Sequence, residues 1–255
     1  MLGIGIDIGS TATKIAVLDD DGAIVDTNVR STGFSSVEAA AAAGEYLASR
    51  GLLDMPHAVV ATGYGRIAVP FADKVVTEIT CHGMGAAFLF GDDGVVIDVG
   101  GQDTKVIQLL SGKVKKFLMN DKCAAGTGRF LEIMADRLAV SQQQLADMAR
   151  KGEPTPITSM CTVFAESEVI SLVGRGEPRE NIANGVIESV VERVATMASG
   201  VPGEQMFLTG GLCDNAYFVE RLASALGRHV QTEPNARFAG AIGAAIAASR
   251  LQSEK

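Results

Sequence analysis

The chain of 255 residues has little that would tie it to a membrane or to a nucleic acid. Basic residues are in the minority. Twenty-two Lys and Arg stand against 30 Asp and Glu, giving a formal net charge of −8 and an isoelectric point near 5.0. Such a surface does not broadly attract a phosphate backbone or an anionic headgroup layer, so neither nucleic acid nor membrane is expected as a partner. The longest run of low polarity, Phe238 to Ala248, is far short of the ~20 residues a spanning helix needs. The N-terminal MLGIGIDIGS lacks the basic start, apolar stretch and cleavage site of a secretory signal, and a cytoplasmic location is expected. No CxxC pair occurs among Cys81, Cys123, Cys161 and Cys213, which argues against a zinc ribbon. In a reducing compartment such scattered cysteines are thiols or metal ligands rather than disulfides. Low-complexity segments and long linkers are missing as well. What remains is 47% hydrophobic and 20% charged, a composition with ample material for a packed core.

An internal repeat organises the chain. Residues 4–16 read IGIDIGSTATKIA and residues 95–107 read VVIDVGGQDTKVI. The alignment pairs Asp7 with Asp98, Gly9 with Gly100, Thr13 with Thr104 and Lys14 with Lys105. In each copy an apolar strand runs into the Asp-Gly turn and a second strand follows. A hairpin turn then leads to a third strand, at Asp19–Gly22 in one copy and Ser111–Lys113 in the other. Helical patterns come next, over 36–50 and 127–138. Two similar α/β lobes are expected, with a ligand cleft between them. The Gly91–Gly94 stretch is the natural boundary. Lobe I is expected over 1–93, completed by the C-terminal helix at about 238–255, and lobe II over 94–237.

The repeated turn suits phosphate. A glycine after the strand lets backbone N–H groups approach the ligand without a Cβ in the way. Ser10, Thr11 and Thr13 offer hydroxyls and Lys14 a point charge. Gly100, Gly101, Asp103, Thr104 and Lys105 repeat that set. A carboxylate beside phosphate makes sense with Mg²⁺ between them, so Asp7 and Asp98 are expected to flank one hydrated ion. The neutral amide of Gln102 can orient an attacking water, which favours hydrolysis over transfer to a bound hydroxyl. A third element, Phe207 to Gly211, is a short strand ending in Gly210 and Gly211, where backbone can lie close to a flat adenosine. Its plain alternative is an ordinary turn.

In order, these segments (D-x-G-S-T-x-x-K, D-x-G-G-x-D and T-G-G) resemble the phosphate-1, phosphate-2 and adenosine motifs of the superfamily of acetate and sugar kinases, Hsp70 and actin. The resemblance implies an actin/Hsp70-like (ribonuclease H-like) α/β fold with duplicated βββαβαβ lobes. It also implies ATP or ADP with Mg²⁺ in an interlobe cleft that opens and closes.

Two cysteines distinguish the chain within that superfamily. Cys123 stands in NDKCAAGTGRF, just ahead of a helix with apolar positions Phe130, Leu131, Ile133, Met134 and Leu138. Cys161 stands in CTVFAESE and precedes or opens a helix running to about Leu172. The positive end of a helix dipole favours the anionic cluster that such thiolates hold. The alternative for each is a small buried hydrophobe. Cys81, within CHGMGAAFLF, and Cys213, after the third motif, read as structural thiols, and His82 as a hydrogen-bonded core histidine. Glu166 and Glu168 do not share a helix face and read as solvated or cleft-lining.

NDKCAAGTGRFLEIMA, CTVFAESEVIS, ATGYGR, DVGGQDTK and TGG together closely resemble the activators of (R)-2-hydroxyacyl-CoA dehydratases, of the BadF/BadG/BcrA/BcrD ATPase family. The 2-hydroxyglutaryl-CoA dehydratase activator is their type member, and ATP-binding subunits of benzoyl-CoA reductase are related. This resemblance implies a homodimer with one [4Fe–4S] cluster at the subunit seam. Cys123 and Cys161 of each chain would be its ligands. It further implies ATP hydrolysis coupled to electron delivery into a dehydratase, with ferredoxin or flavodoxin as donor. Three rivals stay open at this point: a reductase subunit or activator of the benzoyl-CoA or double-cubane type, a sugar or pantothenate kinase with Asp103 as base, and a non-enzymatic nucleotide-binding scaffold.

Overall fold

The computed structural model describes residues 1–158 and 161–253. The chain begins with three strands, β1 (Leu2–Ile8), β2 (Ala12–Leu18) and β3 (Ile24–Ser31), followed by helix α1 (Ser36–Ser49). Strand β4 (His57–Thr62), a 3-10 turn at Arg66–Ala68, the short β5 (Lys74–Val75) and α2 (Glu78–Phe90) complete the first run. The series then restarts with β6 (Gly94–Val99), β7 (Thr104–Leu110) and β8 (Lys113–Asn120). Four helices follow: α3 (Gly128–Arg137), α4 (Gln142–Ala149), α5 (Thr162–Gly174) and α6 (Arg179–Ser199). After them come β9 (Met206–Gly210), α7 (Ala216–Leu226), β10 (Val230–Gln231) and α8 (Ala239–Ser253).

The two sheets have the same order, β3-β2-β1-β4-β5 and β8-β7-β6-β9-β10. This is the duplicated βββαβαβ arrangement of the actin/Hsp70-like fold, with two local departures. In the first copy the helix between the fourth and fifth strands shrinks to the 3-10 turn. In the second copy a four-helix excursion separates the third strand from the fourth. Contacts divide the chain into two compact units. One comprises Met1–Gly94, Leu109–Lys115 and Glu233–Lys255, the other Val95–Gln108 and Lys116–Thr232. Residues 254 and 255, expected as the end of the C-terminal helix, lie outside the described residues, as do 159 and 160 ahead of Cys161.

In the first unit β1 is buried along its whole length, as a central strand covered on both faces must be. Ile4, Ile6, Ile8, Ile15, Val17, Leu47 and Val59 form the core on the α1 side. On the other side the Ala-rich α8 lies against β1, β4 and α2. Small residues set that approach: a Cβ on Gly5 would stand 1.9 Å from the Ala241 carbonyl oxygen, and one on Gly243 would stand 1.8 Å from that of Cys81. Helix α1 starts on Ser35, whose hydroxyl accepts from the Glu38 N–H. In the second unit α6 is the spine, with Ile182, Val186, Ile187, Val190 and Val191 fully buried. Helices α4 and α7 pack on α6, and α5 packs on α3. No helix among the described residues is long and apolar enough to cross a membrane.

Candidate functional site

The first phosphate-type turn begins where β1 ends. Asp7 is 1% exposed and stands opposite Lys14 on β2 and Thr62 on β4. The Gly9 N–H donates to the Ala12 carbonyl at 3.1 Å and closes the turn. Gly9 and Ser10 are half-buried and Thr11 is exposed, so this stretch of backbone reaches solvent. Lys14 Nζ lies 3.7 Å from Asp7 Oδ2. Asp7 Oδ1 is buried and has no hydrogen-bond partner. A buried carboxylate oxygen without a donor costs roughly 1–3 kcal/mol unless a cation or its water serves it, so Asp7 fits the Mg²⁺ role. Thr13 points the other way. Its hydroxyl is buried and meets Thr32 Oγ1 at 2.9 Å, and Thr32 Oγ1 also donates to the Gly9 carbonyl at 2.8 Å.

The second turn repeats the geometry in the second unit. Asp98, near the end of β6, is 2% exposed and stands opposite Thr209 of β9. The Gly100 N–H donates to the Asp103 carbonyl at 2.9 Å. Gly100, Gly101 and Asp103 are half-buried, and Gln102 is exposed at the tip. Lys105, among the largest fully buried side chains of the molecule, lies 2.8 Å from Asp103 Oδ1 and 3.4 Å from Asp98 Oδ2. Thr209 Oγ1 donates to Asp98 Oδ1 at 3.0 Å. Thr104, like Thr13, turns inward: its hydroxyl donates to the Gly126 carbonyl at 2.6 Å. Gly210 is buried and Gly211 exposed at the end of β9.

A further pairing emerges that residue types alone do not suggest. Thr62-Gly63 stands to Asp7 as Thr209-Gly210 stands to Asp98. Gly63 has φ +84°, and a Cβ there would lie 2.3 Å from Asp7 Oδ1. Gly210 has φ +83°, and a Cβ there would lie 2.8 Å from Asp98 Oδ1. Both positions combine left-handed backbone with close approach to the carboxylate, and each condition alone selects glycine. The Thr-Gly dipeptide after an apolar strand is the sequence signal for both.

Cys123 and Cys161 are exposed and line one cavity of about 430 Å³ in the second unit, together with Asn120, Arg193 and Met197. Cys161 is the N-cap of α5. Cys123 lies in the loop between β8 and α3, where Asn120 Nδ2 donates to its carbonyl at 2.9 Å and to that of Ala125 at 3.1 Å. Two exposed thiols and the cationic Arg193 on one cavity suit half the ligand set of an anionic cluster. Cys81 and Cys213 are buried. Burial pushes the Cys81 thiol up to about 12, so it stays protonated and is a poor metal ligand. His82 is buried in α2. Glu166 forms an ion pair with Arg137, joining α5 to α3. Both Glu168 carboxylate oxygens accept from the Thr158 N–H at 3.1 Å, and Oε1 also accepts from its hydroxyl at 2.9 Å.

This geometry has counterparts among known proteins. The model of the BadF/BadG/BcrA/BcrD ATPase family matches residues 4–248. The chain is 48% identical to the protein YjiL of Escherichia coli K12, over 99% of this chain and 98% of that one. It is 41% identical to the (R)-2-hydroxyglutaryl-CoA dehydratase activating ATPase of Acidaminococcus fermentans, over 95% of each chain. The solved activator of the 2-hydroxyisocaproyl-CoA dehydratase from Clostridium difficile, with bound ADPNP, is similar at a TM-score of 0.93 and 36% identity. That match covers 100% of this chain and 96% of that one.

Proposed function

The chain belongs to the BadF/BadG/BcrA/BcrD ATPase family, and on that premise we propose that it is an ATP-hydrolysing activator that delivers single low-potential electrons to a 2-hydroxyacyl-CoA dehydratase. Binding and hydrolysis of ATP follow from the family. The electron-transfer role rests on one observation: two exposed thiols, Cys123 and Cys161, share a cavity whose wall includes Thr104 of the second phosphate-type turn.

Asp7 and Asp98 are the carboxylates for Mg²⁺. The backbone of Gly9, Ser10 and Thr11, with Lys14, and that of Gly100 and Gly101 meet the phosphates. Gln102, exposed at the tip of its turn, orients the attacking water. Gly210 and Gly211 approach the adenosine. Cys123 and Cys161 supply two thiolates, and a second copy of the chain supplies two more. Val163 and Phe164, 65% and 68% exposed directly after Cys161, give that second copy an apolar surface to cover. A [4Fe–4S] cluster held there supplies one-electron chemistry at low potential. A ferredoxin or flavodoxin fits as donor, and the acyl-CoA is chosen by the dehydratase, not by this chain. A kinase reading is weaker, because Asp103, its one candidate base, is ion-paired to the buried Lys105 at 2.8 Å.

Anaerobic purification tests the proposal. The expected product is a brown dimer with about four iron and four sulfide per two chains. Cys123→Ala should abolish the colour while ATP binding persists. A colourless, iron-free monomer prepared under strict anaerobiosis would refute the cluster and with it the electron-transfer role.

A further inference from the structure

The second phosphate-type turn is bonded directly to the segment that carries Cys123. The Gly128 N–H donates to the Gly100 carbonyl at 2.9 Å, and the Arg129 N–H donates to the Gly101 carbonyl at 2.8 Å. These are the first two amides of α3, groups a helix cannot satisfy internally. No side chain caps them; the turn does. A trans peptide is planar, with its N–H opposite its C=O. The carbonyl of Gly100 shares one rigid plane with the N–H of Gly101, and the carbonyl of Gly101 shares another with the N–H of Gln102. A phosphate that engages those N–H groups therefore rotates or polarises the same planes that hold α3.

Thr104 adds the side-chain half of this link. It is 2% exposed at the start of β7, and its hydroxyl donates to the Gly126 carbonyl at 2.6 Å. Gly126 has φ +87° and stands against the Arg193 side chain. The other carbonyls of the loop are held within it: Asn120 takes those of Cys123 and Ala125, and Thr127 takes that of Ala124 through both its N–H and its hydroxyl. The loop is thus an internally bonded body, tied to the turn at Gly126 and at the start of α3.

We propose that Thr104 is the positioning residue that passes the state of the Gly100–Asp103 turn to Cys123, acting through the Gly126 carbonyl. This rests on the function proposed above, in which nucleotide phosphate occupies that turn. The test uses metal-free full-length chain in a Cys161→Ser background, which leaves Cys123 as its exposed thiol. The rate of Cys123 alkylation is compared without nucleotide and with saturating Mg²⁺ and a non-hydrolysable ATP analogue. Working at saturation removes any effect of a change in affinity. A several-fold change in rate is expected with Thr104 present. Thr104→Val should bring the ratio close to one, and Thr104→Ser should restore it. A Thr104→Val chain that keeps the full ratio overturns the assignment.

Hydrogen exchange on the unmutated chain gives a second reading that does not depend on how Thr104→Val folds. Exchange at the Gly128 and Arg129 amides should change on nucleotide binding, and unchanged rates overturn the proposal. Equilibrium titration with a fluorescent nucleotide separates the two levels. A chain that binds no nucleotide sinks both this inference and the function beneath it. A saturated chain with unaltered Cys123 reactivity sinks this inference alone.

Discussion

The two Asp-Gly turns share a backbone and differ in what lies behind it. In the first unit the inward-facing groups of the turn, the Gly9 carbonyl and the Thr13 hydroxyl, both end on Thr32, a single buried side chain just after β3. In the second unit the corresponding groups, the Gly100 carbonyl and the Thr104 hydroxyl, end on Gly128 and Gly126, just after β8. The first turn is anchored to static core. The second is anchored to a segment bearing an exposed thiol. The carboxylates differ in the same sense. Asp7 keeps a buried oxygen with no hydrogen-bond partner and a lysine at 3.7 Å, whereas Asp98 has Thr209 on one oxygen and a buried lysine on the other. Duplication produced the grip twice, and divergence after the third strand gave the two copies separate work.

The largest expected effect tests the electrostatic half of this contrast. Lys105→Met removes a fully buried cation that serves both Asp98 and Asp103. Stripping one partner from a buried ion pair leaves a desolvated charge behind, and about 3–5 kcal/mol of unfolding free energy should be lost. Lys14→Met removes a more exposed cation at longer range and should cost about 1 kcal/mol or less. Urea unfolding of both variants at neutral pH measures the difference. Equal losses would mean that the two turns are electrostatically alike.

Much of this contrast is legible in the order of residues along the chain. The paired D-x-G-x-x-x-T-K blocks mark both turns, because each needs the same residue types at the same spacing. The cysteine segments likewise declare their helices through apolar periodicity. The Thr62-Gly63 partner of Thr209-Gly210 is harder to see. Asp7 and Asp98 are 91 residues apart but Thr62 and Thr209 are 147 apart, because α3–α6 are inserted between β8 and β9. A fixed-offset search cannot register both. The direction of the threonine hydroxyls is less legible still. Thr13 and Thr104 sit among ligand-type residues, yet in strands β2 and β7 their side chains point toward the interior. Residue type cannot tell a phosphate donor from an internal brace. Only the tertiary neighbours Thr32 and Gly126 decide it.

A second comparison tests the symmetry itself. Gly63→Ala and Gly210→Ala each place a Cβ on left-handed backbone and within 2.3 Å or 2.8 Å of a carboxylate oxygen. Backbone strain and overpacking together should cost about 2–4 kcal/mol at either position. Both variants should lower ATPase activity, since each displaces the aspartate of its own turn. Thermal unfolding that separates them by more than about 1 kcal/mol would show that one carboxylate has room to yield.

The smallest effect is also the most discriminating. Thr32→Val keeps the shape of the first-unit anchor but removes the bonds to Thr13 and to the Gly9 carbonyl. Two lost hydrogen bonds should cost about 1–2 kcal/mol, a loss comparable to that from a buried threonine elsewhere. Its bearing lies in what should stay the same. Thr32 leads to no cysteine, so the nucleotide-dependent change in Cys123 alkylation should persist in Thr32→Val while it vanishes in Thr104→Val. If both substitutions abolish the response, general loosening of the turns explains it and the route through Gly126 loses its special standing. If only Thr104→Val does, the difference between the two anchors is functional as well as structural.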